Sequence, residues 1–164
     1  MLISNEIAHW LQHTLLALSR DEWGMVYIAE GILSSIPDYT RARWQFGVDM
    51  TYRCIKSDLI VVLAYVDCKD NASLFAAVRE KSPFSRKGNE GGLLWNGTQI
   101  YGTTRLKNLV KAYFQDGDAN TTTVNPSFIE AVEEIFAQSA VPWSDAPLLP
   151  IRPERFDDQP AKSH

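Results

Sequence analysis

Apolar side chains recur along this chain every three to four residues, in blocks closed off by capping residues and prolines. That spacing limits the fold more than any other feature, because each block acquires one apolar helical face that must be buried. Ser4 or Asn5 caps a first block running to about Ser19, where Ile7, Trp10, Leu11, Thr14, Leu15 and Leu18 share a face. Ser19-Arg20-Asp21-Glu22 reads as a capping box that opens a second helix, reaching about Ser35 before Pro37. Its buried stripe is Met25, Ile28, Ala29, Ile32, Leu33 and Ile36, with Trp23, Tyr27 and Glu30 on the opposite face. Asp70 or Asn71 caps a helix through Lys81, stopped by Pro83. Thr103 or Thr104 caps another to about Phe114. Asn125-Pro126 opens a last helix to about Ser139, with proline at a first-turn position where its missing N–H costs nothing. Phe128, Ile129, Val132, Ile135 and Phe136 form the apolar face of that helix, and Glu130, Glu133 and Glu134 cover its other side.

Two stretches depart from this pattern. From Trp44 to Cys54 apolar and polar residues alternate without error, a strand signal. Eleven residues is long for a strand, however, and most of these apolar side chains also fit one broad helical arc, with Arg43 as the misfit. Asp38 after Pro37 makes a good helix start, so residues 39–57 are read as helical, followed by a short buried run, Leu59–Val66, with strand character. The second departure is residues 92–102, where Asn96-Gly97 between Leu93-Leu94-Trp95 and Thr98-Gln99-Ile100 predicts a two-residue hairpin. In that register Leu93, Trp95, Thr98 and Ile100 line one face. The expectation is therefore a mainly α, α+β fold: a compact helical domain of five or six helices with one small β-hairpin. Residues 1–140 form a single domain in this reading. Residues 141–164, which hold five of the eight prolines, form an extended tail, with Pro147-Leu-Leu-Pro150-Ile-Arg-Pro153 strapped across that domain.

Charge divides the chain. Residues 115–164 carry nine acidic and three basic side chains, against eleven and thirteen in residues 1–114, for a net charge of −4 overall. A lopsided field steers encounters with oppositely charged partners. It disfavours general nucleic-acid binding, which needs a concentrated basic face. The longest apolar run spans eight residues, well short of the ~20 a membrane helix requires. The N-terminal Met-Leu-Ile-Ser-Asn-Glu has no secretory-signal pattern, and Cys54 and Cys68 have neither metal nor redox spacing. A cytoplasmic protein with reduced cysteines is expected.

No constellation commits the chain to chemistry. Glu6, His9 and His13 share one helical face, but the stretch lacks the glutamate of a zinc-protease helix, and a solvated polar stripe including Arg20 is the plainer reading. Asp116, Asp118 and Asn120 fill the first three positions of a calcium loop, whereas Thr121 and Ser127 fail its sixth and twelfth. Gly88, Gly91 and Gly92 beside Arg86 and Lys87 suggest a phosphate cradle, yet lead into the expected strand rather than a helix. No catalytic residue, metal ligand or cofactor is assigned.

A partner-binding role has more support. Trp23 and Tyr27, one turn apart on a polar face, are the kind of large side chain that anchors protein interfaces. Glu130, Glu133 and Glu134 with Asp145, Glu154, Asp157 and Asp158 form an acidic surface. The compact acidic helical layout, the helix-to-strand passage Arg53-Cys-Ile-Lys-Ser-Asp-Leu-Ile-Val-Val and the Val141-Pro-Trp-Ser-Asp-Ala-Pro segment resemble small cytosolic immunity proteins of bacterial toxin systems. That resemblance implies inhibition of a cognate basic toxin, such as a nuclease, by occluding its cationic site. The candidate partner-binding residues are Trp23, Tyr27, Glu130, Glu133, Glu134 and Asp145. The alternatives are a winged-helix nucleic-acid regulator, with residues 71–81 reading DNA and the hairpin as wing, and a metal-dependent enzyme built on Glu6, His9 and His13.

Overall fold

Arg41–Lys56 forms the longest helix, α3, and ten of its sixteen residues are buried. They cover the helix except for a stripe carrying Arg41, Gln45, Tyr52 and Lys56, so polar as well as apolar side chains of the alternating stretch are buried. Thr40 caps its start by accepting the Arg43 N–H. Before it come α1 (Asn5–Leu18, capped by Ser4), the two-residue strand β1 (Trp23–Gly24) and the single-turn helix α2 (Val26–Ala29). After it come β2 (Ile60–Ala64), α4 (Asn71–Glu80), α5 (Glu90–Gly97), β3 (Gln99–Gly102), α6 (Thr104–Tyr113) and α7 (Pro126–Gln138). The computed structural model describes residues 1–84, 90–115 and 122–152. Among these, seven helices and a three-stranded antiparallel sheet make an α+β fold.

The sheet has the order β1-β3-β2, with Trp23 opposite Ile100 and Val62 opposite Ile100 from the other side. α1 packs on α7 and β3, α6 on α7 and β3, and α3 on α2, α4 and β2. The shared core contains Leu11, Leu15, Met50, Trp44, Trp95, Ile100, Phe128 and Phe136, all but excluded from solvent. Side chains of this size contribute about 1.5–3 kcal/mol each on burial. Three tryptophans also tie the core to backbone at helix ends: Nε1 donates to the carbonyl of Glu30 from Trp10, of Val78 from Trp44 and of Lys81 from Trp95.

Two expectations are corrected here. The hairpin at 92–102 is absent: residues 90–97 are helical and only Gln99–Gly102 is strand. Leu94 and Trp95 are both buried, a consecutive pair that a half-exposed strand would split between its faces. Gly97 does not serve a turn with positive φ. It lets α5 approach Val66, whose Cγ2 lies 2.6 Å from where a Cβ would stand. The long second helix is also absent. Ser19 is already the C-cap of α1, its hydroxyl donating to the Leu16 carbonyl, and Trp23–Gly24 is drawn into the sheet by β3. Gly31, at φ +104°, takes up the left-handed conformation two residues after α2 ends.

The polar residues of α3 hold two segments that lack regular structure. On one side Arg43 reaches the chain between α2 and α3. On the other, residues 142–151 lie across the helix: Asp49 Oδ1 accepts the N–H groups of Leu148 and Leu149, both at 3.0 Å. Gln45 accepts from Ile151 and donates to the Leu149 carbonyl, and Arg53 donates to the carbonyls of Pro142 and Ser144. Arg53 also stacks over Trp143, 5.0 Å from the ring centroid. Burial is the main influence on Asp49, raising its pKa despite the bonds and the nearby Arg53 charge.

Candidate protein-binding face

Residues 23–35 run antiparallel to α1, fastened at three points. The Tyr27 hydroxyl lies 3.4 Å from Nδ1 of His13, the Glu30 carbonyl accepts from Trp10, and the Glu6 carboxylate accepts from the backbone and hydroxyl of Ser35 and from the Ser34 N–H. Those bonds, the Ser35 hydroxyl first, hold the Glu6 carboxyl below its ordinary pKa. Glu6 is thereby a cap for a turn, not a member of a free polar stripe. Among the described residues no three His, Cys, Asp or Glu side chains are placed to hold a metal ion.

The turn that Glu6 caps belongs to a loop, residues 30–40, organised from beneath by Arg43. This guanidinium is 1% exposed. It donates to the carbonyls of Ile36 at 2.7 Å, Gly31 at 3.0 Å and Leu33 at 3.2 Å, with Ala29 at 3.4 Å, and pairs with Asp38 at 3.1 Å. Burial lowers the Arg43 pKa and the Asp38 and Glu6 charges oppose that shift. An arginine that looked like a misfit on an apolar arc is thus the centre of the loop. The two remaining constraints are local: Gly31 sits where a Cβ would stand 2.9 Å from the Trp10 ring, and Tyr39 is held at φ 61°, with its ring 5.1 Å from that of Phe84.

This loop displays Ile32, which is 91% exposed. Beside it is an open groove of about 620 Å³ lined by Met1, Glu6, His9, Ile32, Val124 and Pro126, among others. Leu2 and Met1, 77% and 50% exposed, extend the apolar surface. Ile32 was expected in a buried stripe, and its exposure follows from the helix ending at Ala29. The signals available in the sequence were Gly31, which interrupts the helix, and Arg43, which no apolar face accommodates.

The candidate residues read from the sequence fall into three groups. Trp23 and Tyr27 are brought together, but from β1 and α2 rather than one helix face: their rings stack at 4.6 Å with an interplanar angle of 18°. Trp23 is 39% exposed, and partial burial raises the Tyr27 pKa. The acids of α7 separate. Glu130 and Glu134 are exposed, whereas Glu133 is buried, with Oε1 accepting the N–H groups of Leu2 at 2.7 Å and Ile3 at 2.9 Å. Glu133 therefore closes the N-terminal segment onto α7 and does not project to solvent as its helical position implied. The Met1 amine lies 3.6 Å from Glu130, which places that acid at the edge of the apolar surface. Asp145 is exposed in the segment that crosses α3, not on α7. Glu154, Asp157, Asp158 and the calcium-like Asp116, Asp118 and Asn120 lie outside the described residues, as do Arg86, Lys87 and Gly88. Gly91 and Gly92 stand at the start of α5, not before a strand. Gly91 meets a packing need, since a Cβ there would stand 1.9 Å from the Ser82 carbonyl oxygen.

The chain matches no protein-family model, no curated protein and no solved structure. Among the described residues no helix is long and apolar enough to cross a membrane.

Proposed function

We propose that this chain is a stoichiometric protein-binding protein of the immunity or antitoxin type, which inhibits a cognate basic protein by covering its cationic site. The observation that supports it best is Ile32: a large apolar side chain, 91% exposed, on a loop whose carbonyls are held by a buried arginine. Exposed apolar surface is a cost to the free monomer that a partner relieves. A loop already fixed in one conformation loses little entropy on docking, which is how a small surface reaches high affinity. The acids at its edge supply attraction to a basic partner and raise the association rate.

The test is co-purification of the tagged chain with the product of the neighbouring gene, followed by sizing and a salt titration. A 1:1 complex with a larger, basic, toxin-like protein whose activity is suppressed in the complex is expected, with affinity falling as salt rises. Recovery of the chain alone, or of a neighbour whose activity it leaves unchanged, overturns the reading. The winged-helix alternative has no wing in residues 93–102, because α5 occupies the first half of that stretch. The metal-enzyme alternative draws on Glu6, whose oxygens are engaged by Ser34 and Ser35.

A further inference from the structure

The face beside α1 has two ends of different chemistry. At the Glu6 end lies the groove beside Ile32, and at the His13 end lies the Trp23–Tyr27 stack. Glu6 and His13 are seven residues apart on a helix, a rise of about 10 Å. The groove and the stack are built from residues 1–40 and 122–126, which together carry five acidic side chains and a single basic one, Arg20. An exposed indole stacked on a phenol in an acidic field is suited to a cation, which the negative ring face attracts.

We infer that this face receives a segment of a partner protein carrying an apolar side chain and, about 10 Å away, an arginine or lysine. The apolar group enters the groove against Ile32, and the cation lies over Trp23. Positions i and i+3 of a polyproline II segment meet that spacing, at about 9 Å on one side of the chain. The inference rests on the protein-binding reading and adds the recognition chemistry and its location.

The test uses the full chain labelled for NMR and the synthetic peptide acetyl-Leu-Pro-Pro-Arg-amide. Controls replace its arginine by glutamate or its leucine by alanine. Amide shifts confined to residues 1–13, 23–34 and 122–125, and weakened by salt, are expected for the first peptide only. Ile32→Asp and Trp23→Ala act at exposed positions, so a one-dimensional spectrum is enough to verify their folds. Each is expected to reduce affinity about fivefold or more, the effect of losing roughly 1 kcal/mol. Equal binding by the glutamate peptide, shifts outside this face, or wild-type affinity in either folded variant overturns the inference. Its failure is distinguishable from failure of the functional reading. If a 1:1 inhibitory complex is recovered but survives both substitutions intact, the protein binds partners elsewhere. If the peptide maps here and no inhibited partner exists, the inhibitory role is wrong.

Discussion

Arg43 shows how much one side chain can organise. Its five N–H donors face four backbone carbonyls and one carboxylate, so a buried charge is retained only because nearly every donor is used. Arg43→Met keeps the aliphatic stem but leaves those carbonyls without donors. We expect a loss of about 3 kcal/mol in urea unfolding, the scale for breaking a buried charged network. Amide exchange should accelerate in residues 30–40 before the rest of the molecule. Arg43→Lys should rescue little, since one ammonium cannot span carbonyls from Ala29 to Ile36. Glu133 carries a comparable lesson for any charge-reversal experiment. Glu133→Lys removes the acceptor for two backbone N–H groups and places a cation among them, so it should cost about 2–3 kcal/mol in thermal or urea unfolding with no partner present. Glu130→Lys and Glu134→Lys, at exposed positions, should change stability by less than about 0.5 kcal/mol. Burial pushes the Cys54 thiol from 9.0 up to about 12. The folded state prefers the neutral thiol, so this contribution to stability is complete below pH 9 and declines as pH rises towards 12. Iodoacetamide at pH 8 should therefore modify the partly exposed Cys68 first and leave Cys54 intact until unfolding, as peptide mass spectrometry would show.

Among the elements, α1, α4, α6 and α7 were legible because their caps and apolar periodicity agree, with Ser4, Asp70, Thr103 and Asn125 each accepting from the first turn. By contrast α3, read as helix over 39–57 against a strand-like alternation, is capped by Thr40 and not by the expected Asp38, which pairs with Arg43. The elements that were misread depend on glycines used for proximity. Asn96-Gly97 has the composition of a hairpin turn, but its glycine is there to admit Val66, and nothing within the dipeptide records a neighbour thirty-one residues away. Likewise Gly24 lies where a Cβ would stand 2.7 Å from the Asn96 carbonyl oxygen, so the junction of β1 with α5 explains it rather than any local preference. The face beside α1 was half legible. Trp23 and Tyr27 were recognisable from their type as candidate anchors, whereas Ile32 was hidden by a helical pattern that continues past the true helix end. Gly47 provides a test of proximity against propensity. Alanine is favoured over glycine within a helix by about 1 kcal/mol. At position 47, however, its Cβ would stand 2.8 Å from the Ala29 Cβ and 3.2 Å from its Cα, and neither atom can swing away. Gly47→Ala should force α2 from α3 and give a net loss of about 1–2 kcal/mol in urea unfolding, with the strain outweighing the helical gain.

For the whole molecule, the division of charge along the sequence proves to mix two roles. Glu133 spends its charge internally, Asp145 lies over α3, and Glu130 and Glu134 remain on the surface of α7 near the N-terminal segment. If the exposed acids attract a basic partner and the groove anchors it, the two features act on different kinetic steps. Attraction at a distance governs encounter and is screened within about 8–10 Å at physiological salt. Apolar contact forms only after encounter and governs escape. Against the cognate partner, the double variant Glu130→Lys/Glu134→Lys should therefore slow association about tenfold in 50 mM salt. At 500 mM salt it should approach the unmodified chain, with dissociation nearly unchanged. Ile32→Ala should leave association alone and speed dissociation by about tenfold or more, as expected when an interface anchor worth roughly 1.4 kcal/mol or more is removed. Surface plasmon resonance at the two salt concentrations separates these effects. If the lysine pair altered dissociation alone, the acids would be contact residues and not a steering field. If Ile32→Ala changed neither rate, the loop that Arg43 holds would have to serve something other than docking.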